Sequence, residues 1–86
     1  MAGKHANFYK QVCLNIIDLR NSKGLSQSKF AELAGISKSY LGKIEAKNVD
    51  KKCSLDVLLD IADAFDIDVL DLLRQNDKKT DVKENV

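Results

Sequence analysis

An all-α fold is expected of these 86 residues, on three observations. The chain contains no proline. Its apolar residues recur at three- and four-residue spacing, the period of a helix face, and no stretch shows the strict apolar–polar alternation of a half-buried strand. Hydrophobic residues make up 44% of the chain and charged ones 31%, too apolar a mixture for a disordered polymer. The length suits one small domain and leaves no room for a second catalytic lobe. A domain of this size buries only about 60% of the surface its unfolded chain exposes, so association into a dimer would add stability.

The first helix is expected over residues 7–23, where Phe8, Val12, Ile16 and Leu19 fall on one stripe and Gly24 supplies a left-handed stop. Ser26 can cap a short second helix whose apolar face is Phe30, Ala31, Leu33 and Ala34, ended by Gly35. Ser37 caps a third, running to about Ala46, with Leu41 and Ile44 pointing inward. The segment 47–53 has no periodicity and three lysines, and reads as an exposed basic loop. Ser54 caps a fourth helix in which Leu55, Leu58, Ile61, Ala62 and Phe65 form the core stripe, opposite Asp56, Asp60 and Asp63. Asp68 caps a last helix carrying Val69, Leu70, Leu72 and Leu73. The expected organisation is thus a flexible N-terminus over 1–6, a five-helix domain over 7–75 and a polar tail over 76–86 that loses every apolar pattern and frays.

The formal net charge of +1 conceals a polarity along the chain. Through Ser54 there are ten basic residues against four acidic ones; from Leu55 onward there are four against nine. Such an asymmetry suits one surface that meets a polyanion and another kept away from it, although ordinary solvated helix faces would produce it equally well.

Several chemistries find no support. Apolar runs fall far short of the roughly 18 residues of a membrane span, and the start MAGKHANFYK lacks the apolar core of a secretory signal, so a cytoplasmic location is expected. Cys13 and Cys53 stand far apart, without the spacing of a zinc or redox motif, and Cys13 reads as a small buried hydrophobe on an apolar helix face. His5 has no partner at catalytic spacing, and the four glycines form neither a dinucleotide fingerprint nor a phosphate loop. Asp66, Asp68 and Asp71 hint at calcium, but the glycine and glutamate of an EF-hand loop are missing, and capping explains them better. No catalytic residue, metal or cofactor is expected, and the protein is not read as an enzyme.

Two short helices joined at Gly35-Ile36 are what a helix-turn-helix requires, since the turn needs a left-handed residue free of Cβ strain. Ala31, four residues earlier, would face the third helix where a larger side chain would push the pair apart. From about Leu14 to Leu73, through LRNSKGLSQSKFAELAGISKSYLGKIE and then SLDVLLDIADAFDIDVLDLL, the chain resembles the helix-turn-helix family of phage repressors, Cro proteins and xenobiotic-response-element-type regulators. The resemblance implies a compact five-helix, lambda-repressor-like DNA-binding domain. It also implies a partly buried structural ion pair between Arg20 and Glu45. The chain departs from the family pattern in a longer loop, with Lys47 or Asn48 where a glycine is usual and Cys53 where a proline is usual, and in Asp66 where glycine usually separates the last two helices.

In the family's docking mode the third helix enters the major groove. The matching positions are Lys38, Ser39, Tyr40 and Lys43, expected to contact bases: lysine donates to guanine O6 and N7, serine pairs with several groups, and tyrosine meets a thymine methyl or a phosphate. Gln27 and Ser37, together with Ser54 and the flanking Lys47, Asn48, Lys51 and Lys52, are expected to hold the DNA backbone, helped by the partial positive charge of helix N-termini. The implied partner is double-stranded DNA bearing an approximately palindromic operator, read by a homodimer. Val69, Leu70 and Leu73 are the expected dimer contacts, with Phe8, Tyr9 and Val12 as possible contributors, though an intrachain core role fits these residues equally. A helical protein-interaction module on the same scaffold, adaptor or antitoxin-like, is the alternative; it would tolerate Lys38→Ala and Lys43→Ala.

Overall fold

The computed structural model of the chain describes residues 5–46 and 53–75, and within them every regular element is a helix. The five are α1 (Ala6–Ser22), α2 (Gln27–Ala34), α3 (Lys38–Glu45), α4 (Leu55–Ala64) and α5 (Val69–Leu73). Four of them open on the capping side chain that the sequence places there. Ser26 Oγ accepts from Lys29 N at 3.1 Å, Ser37 Oγ from Tyr40 N at 2.9 Å, Ser54 Oγ from Val57 N at 3.2 Å and Asp68 Oδ1 from Leu70 N at 3.0 Å, each satisfying an amide the first helical turn leaves free.

The helix ends follow one pattern. After α1, α2 and α4 the residue with positive φ is Gly24 (68°), Gly35 (75°) and Asp66 (55°), and the residue that follows donates its amide back to a carbonyl five positions earlier. These bonds are Leu25 to Arg20 at 3.2 Å, Ile36 to Ala31 at 3.0 Å and Ile67 to Ala62 at 3.0 Å. Each is the long bond of a Schellman motif, whose accompanying apolar contact is made by Leu25, Ile36 and Ile67 against the core. Aspartate takes the left-handed conformation at position 66 because its short polar side chain tolerates that region better than most.

Val12 and Ile16 of α1, Phe30, Ala31 and Ala34 of α2, Leu41 and Ile44 of α3, Cys53, Leu58, Ile61 and Ala62 at α4, and Leu72 of α5 form one buried cluster. Helix α1 packs on α3 and α5, α2 on α3 and α4, and α4 on α5. Phe30 and Phe65 stack with ring centroids 4.7 Å apart, joining α2 to the end of α4. Asn15 Nδ2 donates to the carbonyls of Leu72 at 2.9 Å and Arg74 at 2.7 Å, fastening α1 to the C-terminal end of α5.

Three residues expected on apolar faces are exposed, and Val12, for which two roles were open, takes the core one. Leu55 is exposed (59%) rather than part of the α4 stripe: it sits in the first turn and, four residues from the exposed Leu59, shares a flank of the helix outside the buried arc of Leu58, Ile61 and Ala62. Leu33 is likewise solvent-facing on α2, and Phe8, in the first turn of α1, meets Tyr9 edge-on (5.4 Å between centroids) instead of joining the buried cluster. Val12 is fully buried within the monomer and so is excluded as a dimer contact.

Candidate nucleic-acid interface

The candidate interface is built on α2, the turn at Gly35, and α3. Gly35 takes its positive φ in open space: a Cβ there would meet no atom within 4 Å, so the requirement is conformational rather than steric. Ala31, by contrast, is buried, as the close approach of α2 and α3 demands. Ser37 then opens α3, whose two buried residues, Leu41 and Ile44, lie about 60° apart on the helix circumference and fix its inner side. The outer arc carries Lys38, Gly42, Ser39 and Lys43 in rotational order. Lys38, Ser39 and Lys43 are exposed, and neither lysine is ion-paired to another described residue. Tyr40 is half-buried, its ring packed against the core at the margin of the arc. Gly42 was not anticipated from the sequence. A Cβ at that position would touch nothing within 4 Å, so packing inside the domain does not require glycine.

Behind this arc, α3 is clamped to α1. Arg20 Nε donates to Glu45 Oε2 at 2.8 Å and Arg20 Nη2 to Glu45 Oε1 at 2.9 Å, a two-pronged pair with side chains only 17% and 7% exposed. The third guanidinium nitrogen donates to the Leu25 carbonyl at 2.8 Å, tying the α1–α2 turn into the same cluster. Burial disfavours the Glu45 carboxylate, but the hydrogen bonds from Arg20 and Gln27 and the Arg20 charge outweigh it, and the pKa falls below its ordinary value. The bond to Glu45 raises that of Arg20 in turn.

Gln27, at the start of α2, donates Nε2 to Glu45 Oε1 at 3.0 Å. One amide hydrogen is thereby committed to the ion pair, leaving the second and the amide oxygen for an outside partner. Ser37 and Ser54 are exposed at helix starts, each with its hydroxyl oxygen engaged as a cap. Lys47, Asn48, Lys51 and Lys52 lie outside the described residues. Asp56, Asp60 and Asp63 are exposed on α4. Asp68 is occupied as a cap and Asp71 pairs with Arg74 at 2.8 Å, so both aspartates have structural roles.

A short helix, a left-handed glycine turn and a second helix with a buried back and a polar outer arc define a helix-turn-helix domain. Residues 16–72 match the family model described as Helix-turn-helix, and the chain belongs to that family, the Cro- and phage-repressor-like regulators. It is 39% identical over 59 residues to the HTH-type transcriptional regulator SinR of Bacillus licheniformis, covering 69% of this chain and 52% of that protein. It is 31% identical over 67 residues to the control protein C.SmaI of Serratia marcescens, covering 78% of this chain and 77% of the relative. The chain therefore spans about half the length of SinR and a larger share of C.SmaI. Among solved structures it resembles the restriction-modification controller protein C.AhdI of Aeromonas hydrophila, with a TM-score of 0.70 and 33% identity over 81% of this chain and 99% of that one. These relatives are regulators by name, in agreement with the non-enzymatic reading of the sequence.

Proposed function

We propose that the protein is a sequence-specific regulator that binds double-stranded DNA in the cytoplasm, reading the major groove with α3. The observation that carries this reading is the outer arc of α3: two lysines with no described counter-charge and a serine stand in solvent, while Leu41, Ile44 and the Glu45 pair hold the helix rigidly from behind. Such an arc suits direct readout, with Lys38, Ser39 and Lys43 directed to base edges and Tyr40 to a thymine methyl or a phosphate at the margin. Gln27 and the α2 and α3 N-termini would hold phosphates, together with Ser54 and the 47–52 segment.

The active species in this reading is a homodimer on an approximately palindromic operator, with recognition helices about 34 to 36 Å apart. Of the proposed contacts Leu70 is the most exposed, at 64%, while Val69 and Leu73 are half-buried against their own core and contribute only their outer edges. Leu55 and Leu59 add apolar surface on α4.

Selection of bound sites from a random duplex pool at stated ionic strength tests the reading. Lys38→Ala and Lys43→Ala should each weaken binding to the selected site by about 1 to 3 kcal/mol with thermal unfolding unchanged. A dimer making six to ten phosphate contacts should lose roughly 10³ to 10⁵ in affinity between 50 and 200 mM salt. A pool that yields no enriched site, or lysine variants that bind as the parent does, would turn the reading toward a protein-binding module.

A further inference from the structure

The tertiary structure brings together two residues that the sequence holds 40 positions apart. Cys13, midway along α1, and Cys53, immediately before the Ser54 cap of α4, are the chain's two cysteines, and their sulfurs lie 4.0 Å from each other. Both are free thiols. Cys53 is buried at 7% exposure, whereas Cys13 is half-buried and so within reach of a small molecule from solvent. Cys13, expected as a small buried hydrophobe, is instead half-buried, packed against the core and in contact with Cys53.

We propose that Cys13 and Cys53 form a reversible thiol–disulfide site, oxidised by a peroxide, that when closed locks the middle of α1 to the start of α4. The pair is already in contact, and a covalent bond requires the sulfurs to approach from 4.0 Å to about 2.05 Å. The two sulfurs have different environments. The S–H···S contact with Cys53 lowers the Cys13 pKa to about 7 despite partial burial. Cys53 is pushed far up by the same contact, by burial and by the Cys13 charge. Because Cys13 is the more accessible of the two and Cys53 is buried beside it, Cys13 is assigned as the attacking sulfur and Cys53 as the resolving one.

In the first step the Cys13 thiolate attacks one oxygen of the peroxide. The O–O bond breaks, Cys13 becomes a sulfenic acid, and the departing hydroxide takes up the proton Cys13 had released, giving water. In the second step the Cys53 sulfur attacks the Cys13 sulfur. The S–S bond forms as the S–O bond breaks, and the leaving hydroxide takes the Cys53 proton as a second water. Two thiols are oxidised by two electrons, and hydrogen peroxide is reduced to two waters. A small dithiol reverses the change by exchange. The closed loop encloses α2 and α3, so the cross-link restricts the unfolded chain across the whole helix-turn-helix and should raise resistance to denaturant. This inference does not depend on DNA binding.

The test uses the full reduced chain treated with equimolar hydrogen peroxide. The expected product has lost two hydrogens by intact mass and both titratable thiols. It runs as a single chain on a non-reducing denaturing gel, unfolds at higher urea concentration than the reduced form, and returns to the dithiol with dithiothreitol. Cys53→Ala should accumulate a Cys13 sulfenic acid that dimedone traps, and Cys13→Ala should leave Cys53 unmodified at the same dose. The parent's mass change is decisive even where a variant folds poorly. Retention of both thiols, linkage between chains, or oxygen addition at Cys13 without loss of the two hydrogens overturns the proposal.

Discussion

Glu45, the last residue of α3, accepts both Arg20 Nε and Arg20 Nη2 from α1, at 2.8 and 2.9 Å, and also accepts Gln27 Nε2 from α2 at 3.0 Å. One carboxylate thus joins the first three helices at the end of α3, so the orientation of α3 depends on contacts made behind its exposed outer arc. A guanidinium matches this geometry because its planar fork meets both carboxylate oxygens while a third nitrogen reaches the Leu25 carbonyl.

Replacing Arg20 with alanine leaves Glu45 charged, largely buried and short of its main partner. A destabilisation of about 3 to 5 kcal/mol is expected, read from urea unfolding. Arg20→Lys should recover only part of it, since an ammonium cannot reproduce the two-pronged bond. A loss below about 1 kcal/mol for the alanine variant would show the pair to be no stronger than an exposed one.

The Glu45 pair also sets a pH dependence. The folded pKa lies below the ordinary value of 4.5, so the stabilisation is fully present above the unfolded pKa and is lost as pH falls through the folded one. Arg20, whose own pKa is raised, stays charged throughout. The urea midpoint of the parent should fall more steeply below about pH 4.5 than that of Glu45→Gln, which removes this one titration while other carboxylates contribute equally to both. Parallel profiles would contradict the assignment.

The left-handed residues at the helix ends make opposite predictions. Gly35→Ala, at φ 75° in open space, should destabilise by about 1 to 2 kcal/mol through backbone strain alone. Asp66→Gly, at φ 55°, should instead stabilise by about 0.5 kcal/mol, because it relieves the residual strain of a non-glycine residue. Thermal unfolding of the two variants gives both signs.

Gly42 separates folding from binding. Alanine in the interior of α3 should raise stability by about 0.5 to 1 kcal/mol, since its Cβ meets no atom of the domain. If the α3 backbone approaches the groove edge closely at this point of the outer arc, the same methyl group should weaken affinity for the selected site. Higher stability with unchanged affinity would place Gly42 away from the bound duplex.

The sequence by itself determined the number of helices, their order and nearly all their ends. Serine or aspartate caps and the left-handed stops at Gly24 and Gly35 act over a few residues, so each is legible where it stands, whereas the stop at Asp66 was indicated only by the family resemblance. Spacing alone turns Leu41 and Ile44 inward, while Lys38, Ser39, Tyr40 and Lys43 were singled out through the family resemblance; of these four Tyr40 is half-buried and the other three are exposed. The Arg20–Glu45 pair was expected only through the family resemblance; in the structure the two side chains meet at 2.8 Å.

Only the tertiary structure decided the exposure of Leu55 and Leu33, the burial of Val12, the bond of Gln27 to Glu45, and the meeting of Cys13 with Cys53. Periodicity states which side of a helix is apolar, but not how far along its length a neighbour extends to cover it, and that is why terminal-turn residues such as Leu55 and Phe8 lie on the apolar spacing yet stay exposed. Contacts between residues 18 to 57 positions apart, from Gln27–Glu45 to Asn15–Leu72, arise from the angles and offsets at which helices cross. Those are fixed by the packing of the whole core, and no local segment encodes them.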